Sequence, residues 1–247
     1  MPASRKNPPA STPRRILVID VGGMHVKFRI DAHGKIRKFV SGPKLGPAYM
    51  VRQIRKLIRG TPYDAVSMGY PGPVLRDRII AEPHNLGGRW VGFDFAKAFG
   101  KPVRIVNDAA MQAIGSYHGG RMLFLGLGTG LGVAFIIDGE VEATEFAHMP
   151  YKRGRSYEDY VGERGRKRRG NKKWRESVRD VIAQLQAAFE ADYVVLGGGN
   201  AVRVKKLPPA TRLGDNKNAF TGGLRLWRRG LLGAGARAGG AHRRRSG

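Results

Sequence analysis

RILVIDVGGMHVKFRI, residues 15–30, decides the fold. Arg15–Val21 reads as a buried strand, a short apolar run bounded by the glycine pair Gly22-Gly23. After the pair, Val26, Phe28 and Ile30 alternate with Lys27 and Arg29, the pattern of a half-buried strand. Asp31-Ala32-His33-Gly34 is a turn, and residues 35–40 form a third strand. Pro47 opens a helix with Met50, Ile54, Leu57 and Ile58 at helical spacing. Residues 64–70 are a further strand, stopped by Pro71-Gly72-Pro73.

The same order returns about 107 residues on. Met122–Leu125 is an apolar strand, glycines follow, and Val133, Phe135 and Ile137 match Val26, Phe28 and Ile30. Asp138-Gly139 turns the chain into Glu140–Thr144. A helix over Lys172–Glu190 carries Trp174, Val178, Ile182, Leu185 and Phe189 on one stripe, and the strand Tyr193–Leu196 ends in Gly197-Gly198-Gly199. This repetition predicts two related α/β lobes, residues 14–118 and 119–240, with a cleft between them suited to a ligand. Residues 1–13 and 241–247, rich in Pro, Ser, Gly and Arg, read as tails.

Three glycine clusters end or interrupt strands: Gly22-Gly23, the alternating Gly126, Gly128, Gly130 and Gly132, and Gly197 to Gly199. Alternate glycines leave one strand face bare, so successive N–H groups can meet phosphate oxygens, with the Thr129 hydroxyl beside them. Tight turns and close packing are the other reading of the same glycines. There is no Walker-A pattern and no GxGxxG. Asp20 closes the first strand where a carboxylate can hold Mg²⁺ beside phosphates, or simply cap the turn. Lys27 either neutralises a phosphate or marks the solvent side of its strand.

Asn107-Asp108 stands between the short strand Val103–Val106 and a helix over Ala109–Tyr117. Both residues suit a helix N-cap. A carboxylate at that strand tip can also take a proton from a hydroxyl attacking phosphorus. Glu145 and His148 can converge on one polar ligand but make a poor metal pair, with no further ligand nearby in sequence. Glu158 is either a salt-bridge partner or a ligand for sugar hydroxyls.

The composition narrows the remaining choices. Of 247 residues 36 are glycine, and the net charge is +26. Cysteine is absent, which excludes disulfides and thiolate chemistry. No apolar run is long enough to span a membrane and the first residues lack a signal-peptide block, so a cytoplasmic protein is expected. Eleven Lys/Arg against three acids lie between Lys152 and Arg175, either a solvated face or a track for a polyanion. Trp174 and Trp227 are the sparse aromatics of the basic stretches, which argues against stacking on single-stranded RNA.

Taken together these residues resemble the ROK sugar kinases, within the actin-like ATPase (ribonuclease H-like) and hexokinase superfamily, and among them the polyphosphate glucokinases. Asp20 to Lys27 is similar to the first phosphate motif DxGGxxxK, Gly69 to Pro73 to the G-x-PG segment, and Leu127 to Gly132 to LGTGIG. Glu145 to His148 is similar to ExGH, Gly197 to Gly199 to the glycine segment near the donor, and Asn218 to Gly223 to the closing N-x-x-x-GG. The resemblance implies an α/β fold of duplicated lobes around a central cleft, in which Asp108 is the base for the 6-hydroxyl of glucose. It implies that Asn107, Glu145, His148 and Glu158 hold the sugar. Asp20, Gly22, Gly23, Lys27, Thr129, Gly130, Gly198 and Gly199 would hold the donor, polyphosphate or ATP, with Mg²⁺ at Asp20. It further implies a homodimer. An ATP-dependent kinase for another hexose, or a degenerate kinase fold that binds nucleic acid, are the alternatives. Met24 and Ala147 depart from the family's Ser/Thr and Gly, the Cys-rich zinc motif of many ROK proteins is missing as it is in the polyphosphate glucokinases, and Asn200 and the residues just after the glycine triplet are not close to the family pattern.

Overall fold

The computed structural model describes residues 13–215 and 217–228. The predicted tails therefore lie outside the described residues, apart from Pro13. Two five-stranded sheets share one topology. The first draws on β1 (Ile16–Val21), β2 (His25–Ile30), β3 (Arg37–Val40), β4 (Ala65–Tyr70) and β7 (Val103–Asn107), in the order β3-β2-β1-β4-β7. The second draws on β8 (Arg121–Leu127), β9 (Leu131–Ile137), β10 (Glu140–Thr144), β13 (Tyr193–Gly197) and β14 (Thr211–Leu213), in the order β10-β9-β8-β13-β14. In each, two hairpins make an antiparallel half, and the other half is parallel. The lobes are thus duplicated, with the fold class the sequence implied.

Alternation along the central strands explains what covers each face. Leu17, Ile19 and Val21 of β1 pack on α1 (Pro47–Leu57), through Met50, Val51 and Ile54. Ile16 and Val18 point the other way, onto Ala219 and Phe220 of α6 (Asn218–Arg225). Asp20 falls on that second face. In β8, Leu123, Leu125 and Leu127 meet Trp174, Val178 and Ile182 of α5 (Glu163–Ala188), while Met122 and Phe124 meet α3 (Asp108–Ser116). α3, which follows the last strand of the first sheet, lays Ala109, Ala110, Ala113 and Ile114 on the second sheet. α6, which follows the last strand of the second sheet, packs on the first. The two helices cross so closely that a Cβ on Gly115 would lie 2.6 Å from the Asn218 carbonyl carbon, and one on Gly222 2.9 Å from that of Met111. Arg225 then caps the end of α3, donating to the carbonyls of Ile114 (2.7 Å) and Tyr117 (3.0 Å).

Several local features differ from the sequence reading. The helix expected over Lys172–Glu190 begins at Glu163, nine residues earlier, and is interrupted at Gly170 (φ 74°, ψ 161°), a left-handed residue that a glycine tolerates. The break lets the basic run 164–169 be helical while Trp174 still turns its indole to the Val161 carbonyl (2.7 Å). The short hairpins β5 (Val74–Leu75) with β6 (Arg78–Ile79) and β11 (Pro150–Lys152) with β12 (Arg155–Ser156), and the short helices α2 (Phe95–Phe99) and α4 (Tyr157–Val161), carry no long periodic signal. Among the described residues no helix is long and apolar enough to cross a membrane.

Candidate active site

Strand register brings the motifs together. Asp20 sits beside Gly69, and Tyr70 beside Asn107, so the tips of β1, β4 and β7 form one edge. In the second sheet Gly126 sits beside Gly197, which puts the 128–130 loop next to Gly198-Gly199. Ligands of open parallel sheets gather at these carboxyl ends of strands. A cavity of about 400 Å³ lies elsewhere, at the opposite end of the first sheet, lined by Arg15, Ile30, Arg37, Ile58 and Pro62 among others. None of the sequence-predicted site residues lines it, so geometry and chemistry, not cavity size, single out the strand-tip site.

Of the pair Asn107-Asp108, one residue caps the helix. Asn107 is the cap: its Oδ1 accepts from the N–H groups of Ala109 (2.9 Å) and Ala110 (3.2 Å), and its Nδ2 donates to the Gly72 carbonyl (3.1 Å). Asp108 follows as the first helical residue, with Oδ1 accepting from Ala109 N–H (2.8 Å). Burial raises its pKa to about 7, and the carboxylates of Asp20 and then Glu145 push the same way, against the Ala109 hydrogen bond. Asp108 keeps part of its surface exposed. It is therefore the titratable group facing both the Asp20 side and the Glu145 side.

On the Asp20 side, burial raises the carboxyl pKa and Lys27, 4.0 Å away on the paired strand, partly offsets this. Among the described residues no three His, Asp or Glu side chains gather as a ready metal site. A single, incompletely neutralised carboxylate at the phosphate turn nevertheless suits Mg²⁺, which keeps waters and takes its other ligands from phosphates. The turn itself is tight: Gly22 N–H donates to the His25 carbonyl (3.0 Å), and Ser41 Oγ to the Gly22 carbonyl (2.6 Å). Met24 is 74% exposed at its tip. Asn85 sits over the turn, its Cβ 3.8 Å from where Gly23 would carry one. It lies in a loop without periodicity, and no sequence signal marked it.

The second glycine loop is built differently from the bare strand face expected. Gly126 and Gly132 pair across the hairpin, and a Cβ on Gly132 would lie 2.7 Å from Ala109 Cβ. Gly132 thus serves helix packing, while a Cβ on Gly126 would meet the Phe124 ring at 3.3 Å. Gly128 has open space where a side chain would be, and Thr129 is exposed. Gly199 is open too, whereas Gly198 (φ 79°) makes the turn over the Leu127 backbone. The loop is clamped from behind. Glu163 N–H donates to the carbonyls of Gly128 (3.2 Å) and Thr129 (3.1 Å), and Asn200 Nδ2 donates to the Gly128 carbonyl (3.3 Å) and Glu163 Oε2 (2.9 Å). Arg166 holds the Glu163 carboxylate at 2.7 Å, which lowers its pKa to about 2. The Glu163–Asn200 clamp escaped the sequence reading because the two residues are 37 positions apart and neither belongs to a motif.

Glu145 and His148 face each other at 3.5 Å, each with 57% of its side chain exposed, at the two ends of a 3₁₀ turn. Between them Ala147 buries its methyl in the second core, so the departure from the family's glycine is absorbed by packing. Among the described residues Glu158 has no basic partner within salt-bridge distance. Its Oε2 accepts from Leu131 N–H (3.1 Å), against Gly130.

With this geometry established, known proteins can be compared. The profile of the ROK family matches residues 16–156. The chain belongs to the ROK family. A polyphosphate glucokinase of Mycobacterium tuberculosis (strain ATCC 25177 / H37Ra) is 25% identical over 230 residues, 84% of this chain and 86% of that protein. A glucokinase of Pyrobaculum calidifontis is 30% identical over 131 residues, 51% of this chain and 40% of its own. Among solved structures, the inorganic polyphosphate/ATP-glucomannokinase of Arthrobacter sp. strain KM superposes with a TM-score of 0.75 at 20% identity, covering 88% of this chain and 98% of that one. The ROK-family glucokinase of Streptomyces griseus, solved with glucose and AMPPNP, gives 0.66 at 18% identity, covering 86% and 98%. This ROK protein thus shares the actin-like ATPase fold of these kinases and is a phosphotransferase of their class.

Proposed function

We propose that this ROK protein transfers a phosphoryl group from inorganic polyphosphate, with ATP as a second donor, to the 6-hydroxyl of glucose. The observation that carries the reading is Asp108, a carboxyl with a pKa near 7 placed between Asp20 and Glu145. A base is most effective when its pKa lies near the working pH. Asn107, Glu145, His148 and Glu158 orient the sugar hydroxyls. Lys27, the turn Gly22-Gly23, Thr129, Gly130 and the Gly198-Gly199 turn hold the donor phosphates. Magnesium at Asp20, when bound, offsets charge on the transferring phosphoryl oxygens. The 6-oxygen attacks the terminal phosphorus, the new O–P bond forms as the bridging P–O bond breaks, and the hydroxyl proton passes to the Asp108 carboxylate. The chain leaves one phosphate shorter, or ATP leaves as ADP, and glucose 6-phosphate is released.

Polyphosphate as donor is supported by charge. Arg164, Lys167, Arg168, Lys172 and Lys173 lie exposed on α5, which starts at the clamp behind the 128–130 loop. Arg203, Lys205 and Lys206 continue the ridge, Arg175 reaching the Arg203 carbonyl (3.5 Å). Such a ridge attracts a long polyanion more than it attracts a nucleotide. The test is a matrix of donors and hexoses with purified protein, reading phosphorylated sugar at two salt concentrations. Glucose phosphorylation, with a KM for long polyphosphate that rises more steeply with salt than the KM for ATP, is expected. No transfer to any hexose refutes the reading, and equal salt sensitivity refutes the ridge.

A further inference from the structure

Gly128 and Gly130 belong to one loop but have opposite surroundings. A Cβ on Gly128 would meet nothing within 4 Å, whereas a Cβ on Gly130 would run into the Glu158 carboxylate, 2.8 Å from Cδ. Neither glycine has a positive φ, so alanine suits the backbone at both. Glu158 is seated there by the Leu131 N–H (3.1 Å), the first residue after the loop. Gly162, at the end of the same short helix, presses on the loop as well: a Cβ there would lie 3.0 Å from the Thr129 carbonyl oxygen and 3.3 Å from Gly130 Cα. The end of the segment bearing Glu158 therefore lies against the backbone of the donor loop, Glu163 N–H donating to the Gly128 and Thr129 carbonyls.

We infer that Glu158 couples the two substrates: its carboxylate, resting on Gly130 and held by the Leu131 N–H, makes the shape of the donor loop a determinant of sugar affinity. This rests on the reading that Glu158 contacts the sugar. One oxygen of the carboxylate is engaged by the loop, and the other remains to accept a sugar hydroxyl. Displacing the loop turns the carboxylate away from the hydroxyl. By linkage, sugar bound on the carboxylate favours the loop geometry that receives phosphate, and the effect runs equally in both directions. Gly130 is on this account a positioning residue for the acceptor, besides any contact it makes with the donor.

The experiment is calorimetric titration of the full chain with glucose in the absence of donor, so that Gly130 can act on the sugar only through Glu158. Gly130→Ala is expected to raise the glucose Kd about tenfold, inside the range usual for coupled sites. Gly128→Ala, in the same loop but in open space, is expected to leave it unchanged and controls for folding. In a Glu158→Ala background, adding Gly130→Ala is expected to change the Kd no further, the non-additivity of residues that act as a unit. Equal glucose affinity in wild type and Gly130→Ala, or additive effects of the two substitutions, overturns the coupling and leaves the kinase reading standing. Failure of wild type to bind glucose or any other hexose overturns both.

Discussion

Asp108→Asn separates function from stability in a way that few substitutions do. Asp108 has a pKa of about 7 in the fold against an ordinary value of 3.8. Because the folded value is raised, the folded state holds a proton that the unfolded chain has already released between those two pH values. Stability therefore falls as pH rises from 3.8 to about 7 and is level above it. The gap of about three units corresponds to about 4 kcal/mol, a ceiling on what the ionised carboxylate costs the fold at pH 8. Between pH 5 and pH 8 the share expected from this one group is about 2–3 kcal/mol, or about 1 M in a urea midpoint. Asparagine has the same shape and never ionises. Asp20 titrates in both proteins, so its own share cancels to first order, and removal of the neighbouring charge eases it further. Urea unfolding at pH 5 and pH 8 is the assay, with phosphotransfer to glucose measured on the same preparations. The variant is expected to exceed wild type by about 2–3 kcal/mol more at pH 8 than at pH 5, and to lose nearly all turnover. Wild-type kcat/KM is expected to fall on the acid side of about pH 7 as the base is protonated. Parallel pH profiles of stability in the two proteins, or near-normal turnover by the variant, would refute the placement of Asp108 as a buried base.

Other substitutions probe the surroundings. Asn200→Ala removes the bonds that clamp the Gly128 carbonyl and Glu163, and the KM for donor is expected to rise about fivefold in steady-state kinetics. Gly222→Ala forces a methyl onto the Met111 backbone at the α3–α6 crossing; calorimetry is expected to show a loss of about 1–3 kcal/mol, while Gly199→Ala, in open space, leaves the melting temperature unchanged. Met24→Thr puts a hydroxyl at the exposed tip of the first phosphate turn, and donor KM is expected to fall about threefold with stability within ±0.5 kcal/mol of wild type.

What the sequence made legible follows from periodicity and register. The runs around Leu17 and Leu123 announce buried strands, and once the strands are paired Asp20 and Asn107 come to one end of the first sheet, and the 128–130 loop comes next to Gly198 at the end of the second. The exchange of α3 and α6 between the sheets is not legible in this way. An apolar stripe says that a helix is covered, not which sheet covers it, and only the crowding at Gly115 and Gly222 fixes the answer. The alternating glycines carried the same ambiguity. Gly126 lies against the Phe124 ring, Gly132 under Ala109, Gly128 is open and Gly130 lies under Glu158, four environments within one pattern.

The pair Asn107-Asp108 lets a helix cap and the carboxyl proposed as base stand side by side. A helix N-terminus has free N–H groups, and one side chain suffices to answer the first of them. Asn107 does so with a neutral oxygen that also ties β7 to the Pro71-Gly72 turn through its amide, a link that an aspartate there would lack a donor to make. Asp108 is thereby not needed as the cap, yet is fixed in the same first turn of the helix, accepting from the Ala109 N–H. Nearby N–H groups favour its charged form, and burial with Asp20 and Glu145 opposes it more strongly. The balance leaves the carboxyl near neutrality, where small changes in the charge around it decide its protonation. A donor that brings Mg²⁺ to Asp20 would answer one of the two opposing carboxylates and lower the Asp108 pKa, so that the base becomes competent as the donor arrives.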